Sequence, residues 1–243
     1  GVRYKTTSYL LGTLDTKGDY DPSFFDYQTS LTWTPGRKWD FSLIANASVN
    51  NYNFKPTDRT TSFGTAEDPR KFKVYFEGWE KDRFNTATVA LNATRTISDI
   101  SNIRFNLSAF SSNESESYDI LGEYWLEDNR STAIGAYLQH GRNRINSKVM
   151  SASIDAKHGT QSIGSIRWGA GIRSEKIEDR MREWEYKDSA GYSLPYAGND
   201  GISMSSSVIS SGTISSNRIW AYISDSYRNQ IPGGFLSVNT GVR

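Results

Sequence analysis

Apolar and polar residues alternate with a period of two along much of this chain. In DFSLIANASVN the odd positions Phe41, Leu43, Ala45, Ala47 and Val49 are apolar, and the even ones are polar except Ile44. In NTATVALNATRTI, Ala87, Val89, Leu91, Ala93 and Ile97 share one face while Thr86, Thr88, Asn92, Thr94 and Thr96 share the other. NIRFNLSAF sets Ile103, Phe105, Leu107 and Ala109 against Arg104, Asn106 and Ser108, and Ile166, Trp168, Ala170 and Ile172 alternate with Arg167, Gly169, Gly171 and Arg173. Successive side chains of a strand point to opposite sides, so each segment predicts a strand with one apolar and one polar face. About nine strands are expected, near 2–14, 24–34, 39–54, 72–97, 102–126, 133–157, 162–185, 216–229 and 235–243. EKIEDRMREWE reads either as a short amphipathic helix or as an extended hairpin arm.

The connections sharpen this picture. PGRK, SDIS, KHGTQ and NQIPGG are short and carry Gly, Pro or Asp, the residues of tight turns. Between them lie longer polar stretches: KPTDRTTSFGTAEDPRK, then SNESESYD or LEDNRST, then a loop over about Tyr186–Ser215. Short turns alternating with long loops are the rhythm of a bacterial outer-membrane barrel. Several strands reach ten residues, about the 9–11 that a tilted strand needs to cross hydrocarbon. Trp33 and Trp39 flank one short turn and Phe235 follows another, as in an interfacial girdle. The expected fold is therefore all-β, with antiparallel transmembrane barrel strands across residues 1–243. Phe41, Leu43, Val49, Val89, Leu91, Phe105, Leu107, Ile166 and Trp168 are the expected lipid-facing residues. An odd strand count, strands reaching both termini and a final Arg243 predict a piece of a larger barrel.

Composition agrees and excludes other classes. Aromatics reach 13% while hydrophobic residues total only 36%, a balance that suits strands rather than a helical core. Lys and Arg number 28 against 27 Asp and Glu, so charge gives no reason to expect a nucleic-acid partner. The chain has no cysteine, which removes disulfides and thiolate metal sites. Nowhere do 18 apolar residues run together, so no transmembrane helix is expected, and GVRYKTTSYLL does not read as a signal peptide.

The stretch MSASIDAKHGTQSIGSIRWGAGIRSEKIEDRMREWEYKDSAGYSLP, followed by SNRIWAYISDSYRN and GGFLSVNTGVR, resembles the barrel of TonB-dependent receptors. The likeness covers about Met150 to Arg243; the earlier part shares only the hairpin rhythm. It implies a 22-stranded barrel filled by a plug and energised by the TonB complex, taking up a nutrient across the cell outer membrane. Neither a plug domain nor a TonB box is found in these residues. The implied partners are outer-membrane lipid, the TonB complex acting through that plug and an unknown nutrient ligand. A surface lipoprotein or other membrane-complex partner stays open. Two other functions also stay open: a structural or assembly-associated barrel, and a soluble β-rich binding module.

Candidate chemistry is sparse, and no enzyme activity or cofactor is expected. Trp184, Tyr186, Tyr192 and Tyr196, near the start of the longest loop, are the ligand-binding candidates. Arg104, Arg167 and Arg173 lie on polar faces, where they either draw an anionic solute or, preferably, pair with carboxylates of a plug or lumen. His158 reads as a solvated turn residue, and His140 has no Asp, Glu or Cys at ligand spacing. Asp15, Asp19 and Asp21 in DTKGDYDPS are weak calcium candidates, because Asp, Gly and Pro are ordinary turn residues.

Overall fold

The computed structural model describes residues 1–6, 18–65, 67–128, 130–160, 164–188 and 203–243. It contains β1 (Val2–Thr6), β2 (Gly18–Trp33), β3 (Trp39–Pro56), β4 (Arg59–Gly64), β5 (Pro69–Ser98), β6 (Ser101–Glu127), β7 (Ser131–Thr160), β8 (Gly164–Asp188), β9 (Ser203–Ile231) and β10 (Gly234–Val242). They form one antiparallel sheet in the order β1-β2-β3-β5-β6-β7-β8-β9-β10, with β4 folded off this path onto β5. Connections such as 99–100 and 232–233 are too short to reach anywhere but the adjacent position, so the chain meanders. Gly36 and Gly233, at φ of 75° and 90°, supply the left-handed corners of two of these turns. The sheet is not closed; β1 and β10 are its edges.

The register carries the alternation of each strand into rungs that cross the whole sheet. Leu31, Leu43, Leu91, Leu107, Ala152, Ile172 and Ile219 stand directly opposite one another in sequence across β2, β3, β5, β6, β7, β8 and β9. The next rung toward the short turns is Trp33, Phe41, Ala93, Phe105, Ile154, Ala170 and Ala221. On the opposite face the matching rung is Thr32, Ser42, Asn92, Asn106, Ser153, Gly171 and Trp220. A slip of one residue in any pair would exchange the faces, so the apolar pattern and the register specify each other.

Burial in this sheet is inverted relative to a water-soluble domain. Along β5, Ala87, Val89, Leu91, Arg95 and Ile97 are exposed, while Thr88, Ala90, Asn92, Thr94 and Thr96 are half-buried among their neighbours. In β9, Ile219, Ala221 and Ile223 are exposed, whereas Trp220, Tyr222 and Ser224 are half-buried. Val74 and Ala156 are the only buried hydrophobic residues among those described, and no large side chain is fully buried. Leu107 is 53% exposed and Ile219 81%. A single layer with an uncovered apolar face has no core of its own.

Several loop expectations are corrected. SNESESYD is not a loop but lies inside β6, and LEDNRST supplies only the three-residue connection 128–130 between two long strands. EKIEDRMREWE is extended strand within β8. Of the loop expected over Tyr186–Ser215, 186–188 belong to β8 and 203–215 to β9, and the rest lies outside the described residues. The long polar excursions are thus replaced largely by strands that continue as hairpin arms, 25 to 30 residues long from β5 to β9. Cross-strand hydrogen bonding satisfies the backbone of these polar segments, which sequence polarity alone suggested should be loop. Among the described residues the strand count is ten with β4 included, nine along the path.

Gly78 is a backbone position with no room for a side chain. Its φ is 125°, and a Cβ there would sit 1.9 Å from the carbonyl oxygen of Asp119 across the β5–β6 pair. Gly78→Ala is expected to destabilise the folded protein by about 1–3 kcal/mol or more. Gly212→Ala in β9, where nothing lies within 4 Å, should be nearly neutral. Denaturant titration of the two variants checks this; equal stabilities would contradict it.

Candidate functional site on the polar face

The polar face gathers hydrogen-bonding side chains that are distant in sequence. Near the short turns, the amide of Asn106 donates to Ser153 Oγ at 3.1 Å and to Asp155 at 3.0 Å. Asn92 donates to Asn106, and the Tyr222 hydroxyl donates to Asp155 at 2.8 Å. Strands β5, β6, β7 and β9 are thereby tied by one polar network. Gly169 lies beneath it: a Cβ there would meet the Tyr222 ring at 2.5 Å and Asp155 at 2.8 Å. The absence of a side chain lets tyrosine reach over β8 to β7.

All three candidate arginines stand on this face. Arg104 is directly opposite Asp155, and Arg167 is opposite Lys157 and Ser224. Arg173 lies 3.7 Å from Glu175, which is also 3.5 Å from Arg218. The nine apolar candidates, Phe41, Leu43, Val49, Val89, Leu91, Phe105, Leu107, Ile166 and Trp168, all fall on the other face.

Farther from the short turns, the polar face holds an acidic and aromatic cluster that sequence reading missed. Carboxylate oxygens of Glu80, Asp82 and Glu116 lie within 4.8 Å of one another. Asn143 donates to Glu116 at 2.8 Å and to Glu183 at 2.5 Å. Tyr52 and Tyr118 stand on neighbouring rungs, and Tyr20 packs against Tyr52 and Phe54 with ring centroids 5.8 and 4.7 Å apart. Burial, then the charges of Glu80 and Glu116, push the Asp82 carboxyl up to about 6. Burial and the charge of Glu116 also raise Glu80, and Tyr52 is pushed up to about 12 by burial, Tyr20 and the two carboxylates. One oxygen of Asp82 is buried without a hydrogen-bond partner. The legible signal was Glu80 and Asp82 two apart, with Glu114 and Glu116 two apart: in strands, that spacing stacks carboxylates on one side.

Other candidates moved. Trp184 and Tyr186 belong to β8, not to a loop, and point to the apolar side of the sheet beyond its apolar rungs. Trp184 stacks on His140 with ring centroids 3.7 Å apart. His140 in turn contacts Asp119 of β6, which also takes a hydrogen bond from Arg142. The histidine therefore does have a carboxylate neighbour, supplied across strands. Burial pushes Asp119 up, but hydrogen bonds from Arg142 and His140 outweigh it and hold the carboxyl below its ordinary range. His158 lies within β7, where its Nδ1 is 2.8 Å from Ser101 Oγ. Asp19 and Asp21 are in β2 rather than in a loop; Tyr192, Tyr196 and Asp15 lie outside the described residues.

No family model matches the chain, and no curated protein matches it.

The raised Asp82 pKa has a definite sign. The folded state binds that proton more tightly than the unfolded chain, so stability falls as pH rises from about 4 through about 6. Asp82→Asn should stabilise the protein at neutral pH and flatten the pH dependence of its unfolding in that window. An unchanged slope between the two proteins would contradict it.

Proposed function

We propose that this chain forms part of the wall of a transmembrane β-barrel in an outer membrane, serving a receptor that passes a nutrient inward and catalyses no reaction. The observation that carries the reading is the pair of apolar rungs through Leu43 and Phe41, each running unbroken across seven strands, with a mostly polar rung on the opposite face between them. From Trp39 to Ala47 every second position of β3 on this face is apolar, nine residues or about 30 Å along a strand at ~3.3 Å per residue, with Arg95 on the Trp39 rung and Ser111, Lys148 and Lys176 on the Ala47 rung at the two margins. Tilted by roughly 40°, that gives a band of about 23 Å, close to the ~25 Å apolar band of such barrels. Trp33, Phe41 and Trp39 stack in series at 5.4 and 5.5 Å, with Arg95 over Trp39, at the short-turn margin of the band where an interfacial girdle belongs.

On this reading the polar face borders a water-filled passage, and the hairpin arms beyond the band stand outside the membrane. Two unpaired edges mean that further strands complete the barrel, since lipid tolerates no open sheet edge. The likeness of Met150–Arg243 to TonB-dependent receptors supports the narrower assignment: a larger barrel with a plug, energised from the inner membrane.

Arginine substitutions test the membrane assignment. At Leu43, Leu91 or Leu107, Arg should cost roughly 2–4 kcal/mol in folding into lipid vesicles, whereas at Asn46, Asn92 or Asn106 it should cost far less. Equal costs on the two faces would refute the wall. Transport is tested in cells: deleting the gene should abolish uptake of one bulky nutrient, and collapsing the proton-motive force should have the same effect in the intact strain. Uptake indifferent to both would leave a barrel that moves nothing.

A further inference from the structure

At the margin of the apolar band and beyond it, the same face of the sheet is basic, and two pairs of basic residues stand directly opposite one another. Lys148 of β7 stands directly opposite Lys176 of β8, and Arg144 directly opposite Arg180. On the next step the β7–β8 register gives Arg142 and Arg182 no partner, and the Arg142 guanidinium turns across β6 to Asp119 and the Trp79 ring, 5.1 Å from its centroid. Like charges placed directly across a strand pair destabilise it. Two such pairs on one face, with only the Asn146–Glu178 pair between them, are a pattern that packing alone does not favour.

Within the protein, Glu178 between the two pairs neutralises part of this charge. Glu178 is held by Lys176 at 2.6 Å, and Asp119 by Arg142 and His140. Among the described residues, the side chains of Arg144, Lys148, Arg180 and Arg182 make no hydrogen bond or ion pair, and all four are exposed. The arginines border a cavity of about 500 Å³, with Ser115 and Ser117 on its β6 side. A second, apolar groove of about 400 Å³ lies on the same face of the neighbouring rungs, lined by Val89, Leu91, Leu107, Met150, Ala152 and Ile172. A cationic pocket and an apolar groove in line along the same strands have the outline of one amphiphile.

Depth agrees with that outline. Measured from Ala152 and Ile172 in the central rung, the lysine pair is four residues out and the Arg144–Arg180 pair eight. At ~3.3 Å per residue and ~40° of tilt, these lie about 10 Å and about 20 Å from the midplane. The hydrocarbon ends about 15 Å out and the headgroups about 20–22 Å out. Lysines at the first depth reach outward to the boundary, and the arginine forks sit among headgroups, where they match phosphate oxygens two at a time.

We propose that this face binds a lipid carrying several acyl chains and more than one phosphate, with its phosphates bridging the facing arginine and lysine pairs and its chains along the groove. More than one phosphate is required because the like-charged pairs are spread over about 10 Å of depth, farther than one phosphate reaches. The proposal rests on the membrane-wall reading above.

The test uses the full-length protein in phosphatidylcholine nanodiscs doped with a bisphosphorylated, multiply acylated glycolipid, or with the same glycolipid stripped of phosphate. Native mass spectrometry reads how much glycolipid each particle retains. Wild type should retain the phosphorylated form preferentially, and Arg144→Ser/Arg180→Ser should weaken that retention about tenfold or more while leaving the phosphate-free form unaffected. Lys148→Ser/Lys176→Ser provides an independent second variant with the same expectation, and inorganic phosphate at equal concentration should not displace the lipid. Equal retention of the two glycolipids by wild type, or unchanged retention by both variants, would overturn the proposal. Quenching of tryptophan fluorescence by brominated lipid in the same discs separates the two readings. If quenching occurs without phosphate selectivity, only the lipid site fails; if quenching is absent, the wall itself fails.

Discussion

Everything in this protein depends on how a single layer of strands is held together without a core. Cohesion along the sheet comes from continuous backbone pairing and from rungs of matched side chains, each contributing a few tenths to about 1 kcal/mol. Cohesion across it is missing, because neither face meets a second layer among the described residues. Exposed leucine and isoleucine rungs are unfavourable in water by roughly 25 cal/mol for each Å² left uncovered. An environment that is itself apolar removes that penalty, and this makes the proposed lipid surroundings the partner that the sheet's own architecture lacks.

The same constraint explains how the strands are partitioned. Only about a third of each 25- to 30-residue strand carries the apolar rungs; the remainder continues as paired strand with polar or aromatic side chains on each face. Away from the apolar rungs, those outer arms accommodate what the rungs cannot: the Glu80–Asp82–Glu116 cluster on one face, the His140–Asp119–Arg142 group and the facing arginines on the other. Polar side chains inside the band instead satisfy one another, as Asn92, Asn106, Asp155 and Tyr222 do across four strands.

Period-two alternation made the strands of the apolar band legible, because there each side chain reports its face. Leu43, Leu91 and Leu107, read separately, proved to occupy a single rung. Past the band the signal vanished: when neither face is apolar, alternation carries no information, and SNESESYD looked like a loop although it is paired residue by residue in β6. EKIEDRMREWE was ambiguous for a related reason, since charges on both faces of a strand can imitate helical spacing. Contacts across strands were out of reach altogether. His140 and Asp119 are 21 residues apart, and only the register of β6 on β7 brings them together.

The central claim, that the apolar rungs face lipid and the rungs behind them face water, is tested most directly by nitroxide labels in the full-length protein in bilayers. Labels at Leu91 and Leu107 should collide freely with oxygen and hardly at all with a water-soluble nickel chelate, while labels at Asn92 and Asn106 should show the reverse. Labels at Leu91 and Leu107 that are immobile and shielded from both reagents would mean that a second protein layer covers the face, and that the wall does not exist.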